Sequence, residues 1–430
     1  MEGKNIVAVK VRFAPSPTGN LHIGSVRTAL FNYLFAKHHD GKFVLRIEDT
    51  DQERSRQEYE EDILAGLDWL GMTSAEPLVY QNARRDIHLR YIDKLLAAGQ
   101  AYLDPEGSSA VFFRVPKDGE TIIHDLIKGD IHFQNKDFKD QVLRKSDGSV
   151  TYNFAVVIDD AEMGISHIIR GEDHISNTPK QIFLYQALGF DLPKFAHIPM
   201  ILGTDRSKLS KRHGATSVNE YRKAGYLPEA LVNYLALLGW TPADGTELMT
   251  QNELYEKFDL DRVSKSNSIF DVEKLNWMNC QKIKQLSITE LNSKYQNHCK
   301  GVNIDVLSVI KDDLVLLNDI PHKAEVFNTA VISHTDEQKL ELKTDSARTV
   351  FQEILTKLAD IYSGSIEEQY AKAQNLIDEV VKTTGLKKSL VFHPLRVALT
   401  AEKSGPGLKF LLVLLGKKRV EERLKIVLSY

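Results

Sequence analysis

The sequence predicts a multidomain α/β protein whose first domain is built on a parallel sheet, is split by a small α+β insert, and is followed by all-helical domains. Three observations predict this architecture. The first fifty residues follow a strand, helix and strand pattern, the same alternation returns after a turn-rich stretch, and helical patterns replace it beyond Trp240. With 430 residues the chain is too long for one hydrophobic core, since single cores stop growing near about 250–300 residues.

The opening elements are predicted from hydrophobic spacing. Large apolar residues occupy every second position over Val7–Phe13, which predicts a strand that a Pro-rich turn ends. A helical apolar face follows Asn20, a candidate cap, and ends near His38, while Lys42–Ile47 predicts a second strand. A parallel sheet usually binds ligands at the carboxyl ends of its strands. The loop at residues 14–25 is therefore the first candidate site.

Later segments repeat this alternation. Tyr152–Ile158, Ile165–Arg170 and Phe195–Leu202 are predicted strands, with a predicted helix at Pro179–Leu188. Between the two α/β stretches, residues from about 100 to 145 are turn-rich and contain short strand-like pieces, which indicates an inserted module.

Helices are predicted beyond Trp240. Apolar residues from Val350 to Leu358 recur at helical spacing. Ser365 and Glu368 have the spacing of a capping box, ahead of a second apolar stripe that reaches Val380. We expect both stripes to form core rather than to bind a ligand.

The composition, 42% hydrophobic and 27% charged, is that of an ordinary folded protein. The apolar run Phe410–Leu415 is far shorter than the roughly 20 residues that cross a bilayer, so no membrane partner is expected. The first residues lack a secretory pattern, which predicts a cytoplasmic protein. Cys280 and Cys299 provide neither a disulfide framework nor the paired spacing of a zinc site, so no protein metal site is predicted.

Charge is unevenly distributed along the chain. The net charge is −4, but residues 382–430 hold eleven Lys or Arg against three Glu, which gives this tail +8 and leaves −12 on the rest. Such a tail is either a solvated set of helix charges or a surface for nucleic acid. Composition alone does not decide between them.

Two loops carry residue types suited to a polyphosphate. His22-Ile23-Gly24-Ser25 lies where a strand leads into a helix, so backbone amides and the positive end of the helix dipole can meet an anion. Lys208-Leu209-Ser210-Lys211-Arg212 follows a predicted strand and clusters cations beside glycines. Singly, the first motif is most often a structural turn and the second a solvated charge run. Their joint presence favours a nucleotide site.

These two segments resemble the signature motifs of class I aminoacyl-tRNA synthetases. Further motifs, in the same order, are similar to those of the bacterial type of glutamyl-tRNA synthetase, and the resemblance spans nearly the whole chain. They are Arg12-Phe13-Ala14-Pro15-Ser16-Pro17-Thr18-Gly19, Arg46-Ile47-Glu48-Asp49-Thr50-Asp51, Thr151-Tyr152-Asn153-Phe154-Ala155, Ile169-Arg170-Gly171-Glu172-Asp173-His174, Ser210-Lys211-Arg212-His213-Gly214, His393-Pro394-Leu395-Arg396-Val397-Ala398-Leu399-Thr400 and Gly405-Pro406-Gly407-Leu408.

The resemblance implies a Rossmann-like catalytic domain that ligates L-glutamate to the 3′ end of tRNA(Glu) for protein synthesis. The reaction would pass through a glutamyl-adenylate and release pyrophosphate and AMP, with ATP entering as its Mg²⁺ complex. Because charge develops on phosphate oxygens, the work of the protein is mainly electrostatic. The residues implied to bind ATP are His22, Gly24, Lys208, Ser210 and Lys211, of which His22, Lys208 and Lys211 would act in catalysis.

The same motifs imply a glutamate pocket. Its cation must distinguish a carboxylate from the neutral amide of glutamine, and arginine can pair with a carboxylate through two hydrogen bonds. The implied residues are Arg12, Ala14, Ser16, Glu48, Tyr152, Asn153 and Arg170. Alternatives remain open. Arg12 could pair with Asp49, Tyr152 could be core, and Glu48 could belong to an acidic surface stretch.

The resemblance also divides the chain. Residues 1–98 and 146–240 would be the two halves of the catalytic domain, 99–145 the acceptor-end-binding insert, 241–305 a helical stem-contact region and 306–430 the anticodon-binding domain. Phosphate contacts would then explain the +8 tail. The family implies a monomer. Its insert often holds a cysteine–histidine zinc site, but this insert is short and lacks the cysteines, so no zinc is expected.

Three other functions share some of these features. A glutaminyl enzyme, or a tRNA-modifying glutamyl transferase without an anticodon domain, would carry related motifs, but the long helical C-terminal region argues against both. A catalytically inactive relative that binds nucleotide or RNA is the third alternative. Intact His22, Gly24, Lys208 and Lys211 argue against it.

Overall fold

The structure, a computed structural model, describes residues 8–51, 53–209 and 217–430. The chain forms two units, one ending at Met278 and the other running from Asn279 to Tyr430. The strands of the first unit are β1 (Lys10–Phe13), β2 (Lys42–Ile47), β3 (Val79–Tyr80), β4 (Ala101–Leu103), β5 (Val111–Phe113), β6 (Glu120–Asp125), β7 (Gly129–Gln134), β8 (Gln141–Arg144), β9 (His167–Gly171), β10 (Lys194–Ile198), β11 (Ile201–Leu202) and β12 (Ser268–Ile269).

Helices follow many of these strands along the chain. Those of the first unit are α1 (Ile23–His38), α2 (Gln57–Trp69), α3 (Arg85–Ala97), α4 (Tyr152–Glu162), α5 (Thr178–Leu188), α6 (Val218–Ala224), α7 (Pro228–Leu237) and α8 (Gln251–Lys257). Helix α9 (Val272–Gln285) contains the boundary between the units.

Parallel strands form the centre of the first unit. β1 pairs with β2, β2 with β3, and β9 with β10, all in parallel. Ser166, just before β9, donates its backbone N–H to the carbonyl of Lys10 at 2.9 Å, which joins β9 to β1. The carboxyl ends of these strands therefore lie along one edge, where ligands of such sheets bind.

The turn-rich segment contributes to this sheet. β4, β5 and β8 form a separate antiparallel sheet, while β6 and β7 form an antiparallel hairpin. β6 also pairs in parallel with β10, where Asp125 lies opposite Phe195. One strand of this turn-rich segment thus lies beside a strand of the α/β segment that follows it.

The predicted opening is confirmed, with β2 at the expected residues. The cap of α1 differs from the prediction, because His22 rather than Asn20 caps the helix. His22 Nδ1 accepts the backbone N–H of Ser25 at 3.3 Å. Histidine is not a common cap, so propensity favoured the asparagine.

Two predicted strands are corrected. Tyr152–Ile158 belongs to helix α4, in which Phe154 to Ile158 are all buried. A short, continuous apolar run fits a buried helix as well as a buried strand, so periodicity could not separate them. The predicted strand Phe195–Leu202 is two strands, β10 and β11, separated at Pro199, which has no N–H for a ladder.

The second unit is helical, as predicted. Its helices are α10 (Ile288–Lys294), α11 (Gln296–Cys299), α12 (Ile304–Ile310), α13 (Asp319–Asn328), α14 (Asp336–Leu342), α15 (Asp345–Lys357), α16 (Ile366–Thr384), α17 (Lys388–Thr400) and α18 (Leu408–Leu428). Ser365 and Glu368 form the predicted capping box of α16, and the stripe after it is largely buried. In the part of the chain that the structure describes, no helix has the length and apolar content to cross a membrane.

Candidate active site

A cavity of 720 Å³ opens at the carboxyl ends of the parallel strands. Its walls come from the loop between β1 and α1, the end of β2, the start of α4, the end of β9, and the turn after β11. The predicted site residues that line it are Arg12, Ala14, Ser16, His22, Gly24, Glu48, Tyr152, Arg170 and Lys208. Groups as distant in sequence as Arg12 and Lys208 therefore share one cavity.

Three predicted site residues are placed otherwise. Ser210 and Lys211 lie outside the residues that the structure describes. Asn153 is described but is not among the lining residues. Its Oδ1 accepts a hydrogen bond from Gln181 Nε2 at 3.1 Å.

His22 is held at the amino end of α1. Its Nδ1 accepts from the Ser25 amide, and its Nε2 lies 2.8 Å from Ser25 Oγ. Burial lowers the pKa of His22 below 6.5, the nearby charge of Lys208 lowers it further, and Asp173 opposes both. The imidazole is therefore neutral near pH 7 and can donate through Nε2. The first turn of α1 has no acidic residue, which leaves the helix dipole open to an anion.

Gly24 leaves room for the His22 imidazole. A Cβ at Gly24 would stand 3.2 Å from both Cε1 and Nδ1 of His22, so a side chain there would push the imidazole aside. The glycine is needed for space, since its backbone is helical.

We predict that Gly24→Ala raises the KM for ATP by about tenfold, because small displacements of a positioning group are costly. The KM for glutamate should change less, and the melting temperature should stay near that of the wild type. Initial rates of ATP–pyrophosphate exchange at varied ATP and varied glutamate measure both constants. An unchanged KM for ATP would show that His22 and the backbone at Gly24 do not hold the nucleotide.

Lys208 enters the cavity from a tight turn. The backbone N–H of Gly203 donates to the carbonyl of Ser207 at 2.8 Å, and Lys208 forms an isolated antiparallel bridge with Leu202. Lys208 and His22 both line the cavity, and the charge of Lys208 lowers the pKa of that histidine. The described part of the second loop, Lys208 and Leu209, therefore lines the same cavity as His22.

Arg12 is anchored from behind by Asp160. Its Nε donates to both carboxylate oxygens of Asp160 at 3.1 and 3.2 Å, and both side chains are buried. Arg12 is thus paired with Asp160 and not with Asp49, whose Oδ1 accepts the backbone N–H of Asn82 at 2.8 Å. Among the described residues none accepts from the Nη groups of Arg12, which leaves them for a ligand.

A second buried arginine joins Asp160 to Glu48. Arg46 Nη1 donates to Asp160 at 2.7 Å and its Nη2 to Glu48 at 3.1 Å, and the Arg46 side chain is fully buried. Burial would raise the pKa of Asp160, but Arg12 and Arg46 outweigh it and hold that pKa low. For Glu48 burial outweighs Arg46, so its pKa is raised. Glu48 is therefore a carboxylate that a further cation would stabilise, and it is not part of an acidic surface.

Arg170 reaches the cavity from the end of β9. Its Nη2 donates to Thr178 Oγ1 and to Gln181 Oε1, each at 2.8 Å. Its Nη1 is buried and has no hydrogen-bond partner among the described residues. A buried guanidinium N–H without an acceptor is costly, so this donor indicates a site for an anion.

Tyr152 begins α4 at the cavity wall. Burial, followed by the charge of Glu48, raises the pKa of Tyr152 to about 12, so the phenol stays protonated. Its ring lies 6.2 Å from that of His174, another lining residue. Tyr152 therefore faces the cavity, even though it is largely buried.

A separate group of possible metal ligands lies at the carboxyl end of α1. Ligand atoms of His38, His39 and Asp259 lie within 4.8 Å of one another. His38 Nδ1 contacts the Tyr255 carbonyl at 3.0 Å, and His39 Nε2 lies 3.7 Å from Asp259 Oδ1. None of the three lines the cavity.

Several functional groups were missed by sequence reasoning. Arg27, Asp173 and His174 also line the cavity. Arg27 is a lone cation within the apolar face of α1, which is a usable signal for a functional charge. Asp159 and Asp160 follow directly on the apolar run of α4, and two carboxylates in a buried segment could likewise have been identified.

Comparison with known families agrees with this site. Residues 8–111 and 103–277 match the family described as tRNA synthetases class I (E and Q), catalytic domain. Residues 272–428 match the family described as anticodon binding domain. Together these matches cover nearly the whole chain.

Curated relatives and solved structures lead to the same family. The glutamate–tRNA ligase 1 of Caldanaerobacter subterraneus subsp. tengcongensis is 40% identical, with 98% of each chain covered, and the glutamate–tRNA ligase of Aquifex aeolicus is 42% identical, with 98% of this chain and 99% of the relative covered. The crystal structure of a glutamate tRNA ligase from Elizabethkingia meningosepticum, in complex with its amino acid, is similar with a TM-score of 0.87 and 31% identity, covering 98% of this chain and 99% of that one. The chain belongs to the glutamate–tRNA ligases, within the class I tRNA synthetases.

Proposed function

We propose that the chain ligates L-glutamate to the 3′ end of tRNA(Glu) in two steps within the cavity. In the first, the α-carboxylate of glutamate attacks the α-phosphorus of ATP, and pyrophosphate leaves. In the second, the 2′-hydroxyl of the terminal ribose attacks the carbonyl of the adenylate, and AMP leaves. No covalent bond to the protein is needed, so the residues act by positioning and by charge.

The nucleotide is held by the two loops that meet in the cavity. His22, the backbone beside Gly24 and the amino end of α1 contact phosphate oxygens. Lys208 compensates the charge that develops on the departing pyrophosphate. Ser210 and Lys211, outside the described residues, act with it by resemblance to the family. ATP enters as its Mg²⁺ complex, so the ion comes with the substrate.

Glutamate is held by two arginines and a carboxylate. The Nη groups of Arg12 and Nη1 of Arg170 are donors without partners among the described residues, and they suit the side-chain carboxylate. Glu48 balances the ammonium group, which in turn keeps the buried carboxylate ionised. Ala14, Ser16 and Tyr152 complete this pocket, and Asn153, which does not line the cavity, supports it through its contact with Gln181.

Transfer RNA contacts both units in this proposal. Residues 99–145 hold the acceptor end, residues 241–305 contact the stem, and residues 306–430 read the anticodon. The +8 charge of residues 382–430 supports phosphate contacts in the last of these regions. The protein acts as a monomer in the cytoplasm.

Arg170 supports this proposal most strongly. Arg170 is 5% exposed, and its Nη1 has no partner among the described residues, although it lies in the same cavity as His22 and Lys208. An anion site next to a phosphate site is what joining glutamate to ATP requires.

Charging of purified RNA tests the proposal. Transcripts of tRNA(Glu) and tRNA(Gln) are each incubated with ATP and with labelled glutamate or labelled glutamine. We expect tRNA(Glu) to accept glutamate and neither RNA to accept glutamine. Transfer of glutamine would show that the enzyme is of the glutaminyl type, and no transfer of either amino acid would leave a binding protein.

A further inference from the structure

The orientation of Arg170 depends on a buried histidine and a buried aspartate outside the substrate pocket. Arg170 Nε donates to His197 Nε2 at 3.3 Å, and His197 Nδ1 lies 2.6 Å from Asp125 Oδ2. His197 and Asp125 have side chains with 0% exposure, and neither lines the cavity. The two residues can therefore act on a ligand only indirectly, and Arg170 is the residue of the cavity wall to which His197 is hydrogen-bonded.

The protonation states of Asp125 and His197 follow from their hydrogen bonds. The Asp125 carboxylate accepts the backbone N–H groups of Ile127 at 2.9 Å and Lys128 at 2.7 Å, and it also accepts the His197 backbone N–H at 3.0 Å. Burial would raise the pKa of Asp125, but its hydrogen bonds with His197 and with these amides hold it low. The carboxylate is ionised and can only accept, so Nδ1 of His197 carries the proton.

In this tautomer Nε2 of His197 is an acceptor, and it lies 3.3 Å from Arg170 Nε and 3.1 Å from Thr178 Oγ1. The Thr178 hydroxyl can instead donate its proton to the His174 carbonyl at 3.2 Å, which leaves Nε2 to accept from the guanidinium N–H, a group that can only donate. With Nε on His197 and Nη2 on Thr178 and Gln181, three hydrogen bonds fix the plane of Arg170 and leave Nη1 for the cavity. A guanidinium group held in one plane pairs with a carboxylate at a smaller entropic cost than a mobile side chain does.

Asp125 comes from the insert and not from the catalytic segments. It ends β6, which pairs with β10 next to His197. The turn after it is also tied down by Lys128, whose Nζ donates to Glu172 Oε2 at 2.5 Å and to the Lys265 carbonyl at 2.8 Å. The insert therefore supports the amino-acid pocket through Asp125 and Lys128.

We propose that His197 and Asp125 are positioning residues for glutamate, which set the orientation of Arg170 and so the affinity for the substrate carboxylate. This inference rests on the proposed role of Arg170 in binding glutamate. It assigns to the insert a part in amino-acid recognition, in addition to any contact with RNA.

Two substitutions break the chain of hydrogen bonds in different ways. His197→Leu removes the acceptor for Arg170 Nε. Asp125→Asn keeps the size but puts an NH₂ or a weaker acceptor beside His197, which favours the opposite tautomer with Nε2 protonated toward Arg170. We expect each to raise the KM for glutamate roughly 10-fold to 100-fold, as for a lost hydrogen bond to a charged group.

The measurement is ATP–pyrophosphate exchange in the presence of saturating tRNA(Glu), with glutamate and ATP varied in turn. We expect the KM for ATP to stay within about twofold of the wild type, since the nucleotide loops are untouched. His197→Gln should recover part of the affinity for glutamate, because its Oε1 can accept from Arg170. The effects of Asp125→Asn and His197→Leu should not add in the double variant, since both act through Arg170.

A matched control exists in the same unit. His88 Nε2 lies 2.8 Å from Asp159 Oδ1, and both side chains are buried, but His88 does not contact Arg170. His88→Leu should lower the melting temperature without raising the KM for glutamate selectively. If His197→Leu and Asp125→Asn lower stability while both Michaelis constants change together, the pair is structural and the inference is wrong.

A variant of Arg170 separates this inference from the proposed function. If Arg170→Lys leaves the KM for glutamate unchanged, Arg170 does not bind glutamate and the proposed role itself fails. If Arg170→Lys raises that KM but Asp125→Asn and His197→Gln both leave it at the wild-type value, the positioning inference alone is overturned. These two conservative variants keep the test decisive even if His197→Leu does not fold.

Discussion

Replacing Arg170 by alanine is expected to lower kcat/KM for glutamate by about 10³-fold, which corresponds to about 4 kcal/mol. The substitution removes a buried, donor-rich cation and leaves the substrate carboxylate in a cavity without its partner. The kcat/KM for an uncharged competitor such as glutamine should fall less. The preference for glutamate over glutamine should therefore decrease. Exchange kinetics with both amino acids at saturating ATP and tRNA(Glu) measure this ratio.

An exposed arginine is the control for this variant. Arg262 lies in the same unit, and its Nε donates to the Thr241 carbonyl at 2.8 Å. Arg262→Ala should leave kcat/KM for glutamate close to the wild-type value. If Arg170→Ala retains most of its activity while it remains folded, the buried donor on the cavity wall is not a substrate ligand.

Loss of Asp160 is expected to destabilise the first unit by about 3–5 kcal/mol, the usual cost of leaving a buried charge unpaired. Asp160→Ala removes the partner of Arg12 Nε and the carboxylate nearest to Arg46, which keeps Glu48 and the more distant Asp159. The free energy of unfolding can be followed by tryptophan fluorescence, since Trp69, Trp240 and Trp277 are the three tryptophans of the chain and all precede Asn279. The signal therefore reports the unit that contains Asp160.

This contribution should depend on pH in a defined direction. The pKa of Asp160 lies below its ordinary value of 3.8 in the folded protein, since Arg12 and Arg46 outweigh the effect of burial. A carboxyl group with a lowered pKa stabilises the fold above its unfolded pKa, and that stabilisation is lost as the pH falls toward the folded value. The wild type should thus lose, below about pH 5, a component of stability that Asp160→Ala lacks at every pH.

Glu76 provides a matched surface carboxylate. It contacts Lys10 at 2.8 Å and Lys42 at 3.2 Å and is about one-third exposed. Because such surface pairs contribute little, Glu76→Ala should cost at most about 1 kcal/mol. Equal effects of the two substitutions would contradict the account of Asp160 as the anchor of a buried network.

Several elements of the fold could be predicted because short local patterns specify them. Strand β2, helix α5 and the capping box at Ser365 follow from local spacing alone. The meeting of His22 with Lys208 did not follow from spacing. It was expected from the similarity of both loops to one family, and the parallel sheet brings them together.

What sequence reasoning missed depends on tertiary contacts. The run from Tyr152 is apolar on every side, so only its burial among other elements decides that it is helical. The pairing of β6 with β10 joins segments about seventy residues apart in sequence, a distance at which local patterns carry no information.

The roles of the buried charges were also hidden. Asp160, His197 and Asp125 lie in separate segments, and nothing local connects them to Arg12 or Arg170. Each is supported by partners that the fold supplies, because a buried charge requires compensation. Sequence reasoning therefore found several groups on the cavity wall, but not those that hold Arg12 and Arg170 in place.

If one cavity joins glutamate to ATP, the protein must catalyse ATP–pyrophosphate exchange that depends on glutamate. The purified full chain is assayed with glutamate, with glutamine and with neither, each in the presence and absence of tRNA(Glu). We predict exchange with glutamate when tRNA(Glu) is present and none with glutamine. If glutamate supports no exchange with or without the RNA, the cavity does not perform this reaction.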